Sequence, residues 1–124
     1  MDMNIPNILI ADDESSVRDI LKNLLLKMFS CTIDLAEDGS RVVEKVKNAK
    51  FDLLLLDLKM PGLSGMDVIK EVVKISPETK IVVITAYDSQ EVCDRAIEAG
   101  AIDYILKSYL KEEIGIKIKG VLGL

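Results

Sequence analysis

The 124-residue sequence has no histidine and no tryptophan, only two cysteines and three prolines, and more acidic than basic side chains. Without histidine there is no Ser-His-Asp or Cys-His relay, no imidazole-ligated metal, and no phosphohistidine carried by this chain. Cys31 and Cys93 stand far apart, without the short spacing of a metal-binding pair, and are expected to be reduced, partly buried thiols of a cytoplasmic protein. No apolar run approaches the roughly 18 residues of a membrane span. Met1-Asp2-Met3-Asn4 shows neither the basic region nor the cleavage pattern of a secretory leader, so a cytoplasmic chain with no membrane partner is expected. Lys and Arg number 16 against 21 Asp and Glu, and the net charge of −5 argues against direct nucleic-acid binding. Chemistry is left to carboxylates, lysine, threonine or a hard metal ion.

Hydrophobic residues make up 49% of the chain and charged ones 30%, the balance of an ordinary folded protein. The length suits a single domain spanning residues 1–124. Short apolar runs alternate with helical patterns throughout. Ile8-Leu9-Ile10-Ala11 reads as a buried strand, and Val17, Ile20, Leu21, Leu24 and Met28 follow at helical spacing. Thr32-Ile33-Asp34-Leu35 is a less apolar strand suited to a sheet edge. Gly39 leads into a helix with Val42, Val43, Val46 and Ala49 on one face. The run Leu53-Leu54-Leu55-Leu56 is apolar at every position, the mark of a strand covered on both faces. Pro61-Gly62 makes a turn, and Ser64 with Asp67 marks a helix start before Ile69, Val72 and Val73. Ile81-Val82-Val83-Ile84 is a fourth strand. A helix through Val92, Ala96 and Ile97 stops at Gly100, and residues 102–106 form the fifth strand before a last helix beginning near Leu110. Repeated strand–helix alternation predicts a doubly wound α/β fold, a five-stranded parallel sheet of order 2-1-3-4-5 with flavodoxin-like topology.

The polar residues fall at the carboxyl ends of these strands. The first runs into Asp12-Asp13-Glu14, the third into Asp57, the fourth ends at Thr85 and the fifth at Lys107. In such sheets ligands sit beyond the strands' carboxyl ends, at the switch point between strands one and three. Three carboxylates gathered there repel one another unless a cation intervenes. Mg²⁺, which takes oxygen ligands and keeps open positions for phosphoryl oxygens, resolves the conflict. Asp57 can then act as a nucleophile forming an acyl phosphate, with Lys107 and the Thr85 hydroxyl neutralising and orienting the phosphoryl group.

The segments Ile10-Ala11-Asp12-Asp13-Glu14, Leu56-Asp57-Leu58-Lys59-Met60-Pro61-Gly62, Ile84-Thr85-Ala86 and Asp103-Tyr104-Ile105-Leu106-Lys107 resemble the receiver domains of two-component response regulators. The resemblance covers nearly the whole chain, and the shared order and spacing make it specific. It implies that Asp57 accepts a phosphoryl group from a sensor histidine kinase or a histidine phosphotransfer protein. It also implies that Asp12, Asp13, Asp57 and the backbone carbonyl of Lys59 hold Mg²⁺, and that Thr85 and Lys107 bind phosphoryl oxygens. Tyr104 would swing inward as Thr85 moves, and the face of the fourth helix, fifth strand and fifth helix would meet an output domain or protein partner. The chain would be no enzyme beyond its own phosphorylation and dephosphorylation. Lys59 and Tyr87, each two positions past a site residue, would shield the acyl phosphate from water.

Two positions depart from the family pattern. Ser108 stands where most members have proline, so a trans Lys107–Ser108 bond is expected, with the Ser108 hydroxyl capping the last helix. Gly115 and Gly120 weaken that helix by up to about 1 kcal/mol each. Taken singly, Asp12-Asp13 also fits a solvated helix start, Thr85 and Lys107 fit structural roles, and Tyr104 fits the core. Three other functions share the topology. A haloacid-dehalogenase-type phosphatase needs a second acid two residues beyond the nucleophile, where this chain has Lys59. A flavin binder needs a phosphate loop after the first strand, where this chain is acidic. A docking module that is never phosphorylated has no use for the acceptor residues.

Overall fold

A computed structural model describes residues 5–86 and 89–124 of the protein. Five strands, β1 (Asn7–Ala11), β2 (Thr32–Ala36), β3 (Leu53–Asp57), β4 (Lys80–Thr85) and β5 (Asp103–Leu106), alternate with five helices. The helices are α1 (Ser15–Met28), α2 (Gly39–Asn48), α3 (Gly65–Ile75), α4 (Gln90–Ala99) and α5 (Leu110–Leu122). The sheet is parallel in the expected order β2-β1-β3-β4-β5.

Alternate side chains on each strand feed two cores. Leu9, Leu54, Leu56, Ile81 and Val83 pack with Val42, Val46, Val68, Ile69, Val72 and Ala96 of α2, α3 and α4. Ile8, Ile10, Leu53, Leu55, Val82, Ile84 and Ile105 pack with Leu21, Leu25, Ile114 and Ile118 of α1 and α5. Burial on both faces is why residues 53–56 are leucine throughout, each with no exposed surface. β2 lies at an edge, and its central residues are only half-buried, as its mixed composition requires.

The helix faces differ in detail from the periodic pattern. Leu21 and Leu25 are the buried residues of α1, whereas Ile20 is exposed. Val73, Ile97 and Ala49 also face solvent. Ser64 caps α3 as expected, its hydroxyl accepting from the Asp67 N–H at 3.2 Å. Gly100 ends α4 at φ 131°, a backbone geometry that side chains resist.

No peptide bond among the described residues is cis, so Lys107–Ser108 is trans as expected. The expected Ser108 cap is not formed. A 3₁₀ turn over Lys107–Tyr109 takes up the chain after β5 and places Tyr109, not Ser108, at the start of α5, where no side chain caps the helix.

Candidate phosphoacceptor and cation site

The register of the sheet assembles the site. Ala11 pairs with Leu56, so Asp12 and Asp57 emerge side by side from β1 and β3. Asp57 pairs with Ile84, which brings Thr85 one rung beyond it, and Thr85 pairs with Leu106, which brings Lys107 next. Asp12 and Asp57 continue the alternation of Ile8, Ile10, Leu53 and Leu55, on the face covered by α1 and α5. Asp13, Glu14, Asp57, Lys59, Ala86 and Lys107 line an open crevice of about 310 Å³.

Burial is uneven across the cluster. Asp12 and Asp57 are 1% and 4% exposed and Thr85 is fully buried, while Asp13 is exposed. One oxygen of each of Asp12, Asp13 and Asp57 lies within 4.8 Å of the others. Asp12 Oδ1 accepts the Glu14 N–H at 2.9 Å, and Asp57 Oδ1 accepts the Lys59 N–H at 3.1 Å. Lys107 Nζ donates to Asp57 Oδ2 at 3.2 Å and stands 3.1 Å from Asp12 Oδ2, with Glu14 Oε1 at 4.0 Å. The Asp12 contact is an ion pair without hydrogen-bonding alignment, so among the described residues the buried Asp12 Oδ2 has no hydrogen-bond partner.

Charge crowding perturbs the titrating groups. Burial and the like charge of Asp12 raise the pKa of Asp57, outweighing the Lys59 N–H and the Lys107 ammonium, which pull the other way. Burial by itself would lower the pKa of Lys107, but the carboxylates of Asp12 and Asp57 outweigh it and raise the value. A single ammonium therefore serves two buried carboxylates. A buried carboxylate oxygen without a hydrogen bond, beside two further carboxylates, is the hard-oxygen donor set that Mg²⁺ accepts.

The other expected residues are placed as follows. Lys59 reaches the site through its backbone N–H and its side chain is exposed. Tyr104 is half-buried on β5, its ring 5.2 Å from the Lys107-independent cation Lys117 Nζ, which also donates to the Tyr104 carbonyl at 2.8 Å. Tyr87 lies outside the described residues. Two residues with no role assigned from sequence join the site. Glu14 contributes its N–H to Asp12, and Arg18 Nη1 donates to the Asp12 carbonyl at 2.7 Å.

The sequence model of the family described as the response regulator receiver domain matches residues 8–119. The chain belongs to the response regulator receiver family. This receiver is 39% identical over 102 residues to the chemotaxis protein CheY of Thermotoga maritima, covering 82% of the chain and 85% of that relative. It is 34% identical over 119 residues to the transcriptional regulatory protein ResD of Bacillus subtilis, covering 96% of the chain but only 49% of ResD. Among solved structures, the response regulator TrrA of Thermotoga maritima, in complex with Mg²⁺–BeF, superposes with a TM-score of 0.85 at 36% identity, covering 95% of the chain and all of TrrA. A CheY-like receiver domain protein from Methanospirillum hungatei matches with a TM-score of 0.89 at 29% identity, covering 97% of this receiver and 95% of that chain.

Proposed function

We propose that this receiver is a phosphoacceptor switch in which Asp57 takes a phosphoryl group from the phosphohistidine of a sensor kinase or a phosphotransfer protein. The observation that carries the reading is the convergence of Asp12, Asp57 and Lys107 from three strands, with one buried carboxylate oxygen that has no hydrogen bond among the described residues. An oxygen of Asp57 forms the new bond to phosphorus as the phosphorus–nitrogen bond breaks, and the leaving imidazole keeps the electron pair and takes a proton. The Lys59 N–H holds the carboxylate by one oxygen, and the Lys107 ammonium neutralises charge at the other. The hydroxyl of Thr85, the last residue of β4, would bind a phosphoryl oxygen.

Asp12, Asp13, Asp57 and the Lys59 carbonyl would hold Mg²⁺. When bound, Mg²⁺ supplies charge neutralisation for the carboxylates and the incoming phosphoryl oxygens. The switch output would pass through Thr85 and Tyr104 to the surface of α4, β5 and α5, where an output domain or protein partner docks. The match covers only 49% of ResD, a transcriptional regulatory protein, and in a regulator of that length the output would fall to the remainder.

Incubation with Mg²⁺ and acetyl phosphate, followed by intact-mass measurement, tests the reading. One phosphoryl group is expected on the wild-type protein and none on Asp57→Asn. An equal mass gain in the variant would overturn the assignment of Asp57.

A further inference from the structure

Asp12 is held at three points. Its N–H donates to the Ala36 carbonyl at 3.1 Å, and its Oδ1 accepts from Glu14. Its carbonyl lies beyond the last rung shared by β1 and β3, and there the Arg18 guanidinium takes it at 2.7 Å. Its Oδ2 is left to the Lys107 ammonium, 3.1 Å away. Arg18 reaches that carbonyl from α1. It lines a separate depression with Glu37, Arg41 and Lys45, which shares no residue with the crevice.

We infer that Arg18 is a positioning residue for the cation site, setting the direction of the Asp12 and Asp13 carboxylates by clamping the peptide unit between them. That unit is planar, so the Asp12 carbonyl and the Asp13 N–H and Cα move as one plate. Displacing the plate changes the backbone angles on either side of it and so shifts the two carboxylates relative to each other. A guanidinium suits the task because its charge is permanent and its donors are fixed in a rigid fork. Outer partners of this kind typically tune metal affinity about 10–100-fold. A clamp and a bare positive charge act in opposite directions. The clamp strengthens Mg²⁺ binding, whereas a positive charge that only happens to lie near the site weakens it.

The inference rests on the Mg²⁺ reading above, and calorimetric titration with Mg²⁺ alone, without phosphodonor, separates the two. Arg18→Met is expected to bind Mg²⁺ about 10-fold more weakly than wild type, with Arg18→Lys between them. The thermal midpoint without metal verifies that each variant is folded. Affinity equal to or tighter than wild type in Arg18→Met overturns the role. If that variant does not fold, Arg18→Lys decides, a loss of affinity supporting the clamp and wild-type affinity overturning it. A wild-type protein that takes up no Mg²⁺ overturns the metal reading and this role with it.

Discussion

Asp57 is buried beside the Asp12 carboxylate, and both circumstances make it hold its proton more tightly than an ordinary aspartate. A group whose pKa is raised on folding contributes stability below its ordinary range and loses that contribution as pH rises through the raised value. The ionised form of Asp57 is therefore a cost to the metal-free fold. Asp57→Asn keeps an oxygen for the Lys59 N–H and removes the charge. Its thermal midpoint at pH 7 is expected to exceed that of wild type by about 4 °C per kcal/mol of repulsion relieved. The gain should disappear as pH falls towards the carboxylate range near about pH 4. A midpoint at pH 7 no higher than wild type would show that Lys107 compensates the two charges fully.

The elements around the site are held close by small residues. A Cβ on Gly65, at the start of α3, would meet Leu58 Cα at 2.7 Å and the Leu58 carbonyl at 2.9 Å, and Leu58 directly follows Asp57. Gly65→Ala must push the β3–α3 loop aside, at a cost of about 1–3 kcal/mol in denaturant unfolding, and slower phosphorylation should accompany it. Gly120 in α5 has nothing within 4 Å of the same position. Gly120→Ala is expected to stabilise by up to about 1 kcal/mol. Equal effects of the two changes would remove the steric argument. The strand run at residues 53–56 and the cap at Ser64 were legible in the sequence because composition and local hydrogen bonding determine them. Ser108 does not cap α5, because a 3₁₀ turn over Lys107–Tyr109 intervenes and puts Tyr109 at the head of the helix. Ile20 fits the helical period yet faces solvent, since periodicity places a stripe but not its edges. That Asp12, Asp57, Thr85 and Lys107 meet at neighbouring strand ends could be read from the sequence, because strand order and register fix it. Arg18 could not, because a bond from a helix back to a loop carbonyl leaves no pattern beyond an arginine one turn past an acidic pair.

At the scale of the molecule, the same crowding that burdens the metal-free fold should make it responsive to cations. A ligand that binds only the folded state stabilises it by about 2.7 kcal/mol at 100 times its dissociation constant. Scanning calorimetry is expected to show the midpoint climbing with Mg²⁺ and returning on chelation, with the climb abolished in Asp12→Asn. A Mg²⁺-dependent rise of equal size in that variant would place the ion elsewhere.

The bond between Lys107 and Asp57 joins residues 50 apart in the chain, and β5 is the last strand to be made. During translation, Asp12 and Asp57 leave the ribosome well before Lys107 does. Until the last strand joins the sheet edge, the two acids have no ammonium between them and the rung beside Thr85 is missing. In the reading proposed here, competence to take a phosphoryl group thus waits until β5 has joined the sheet and Lys107 stands beside both acids.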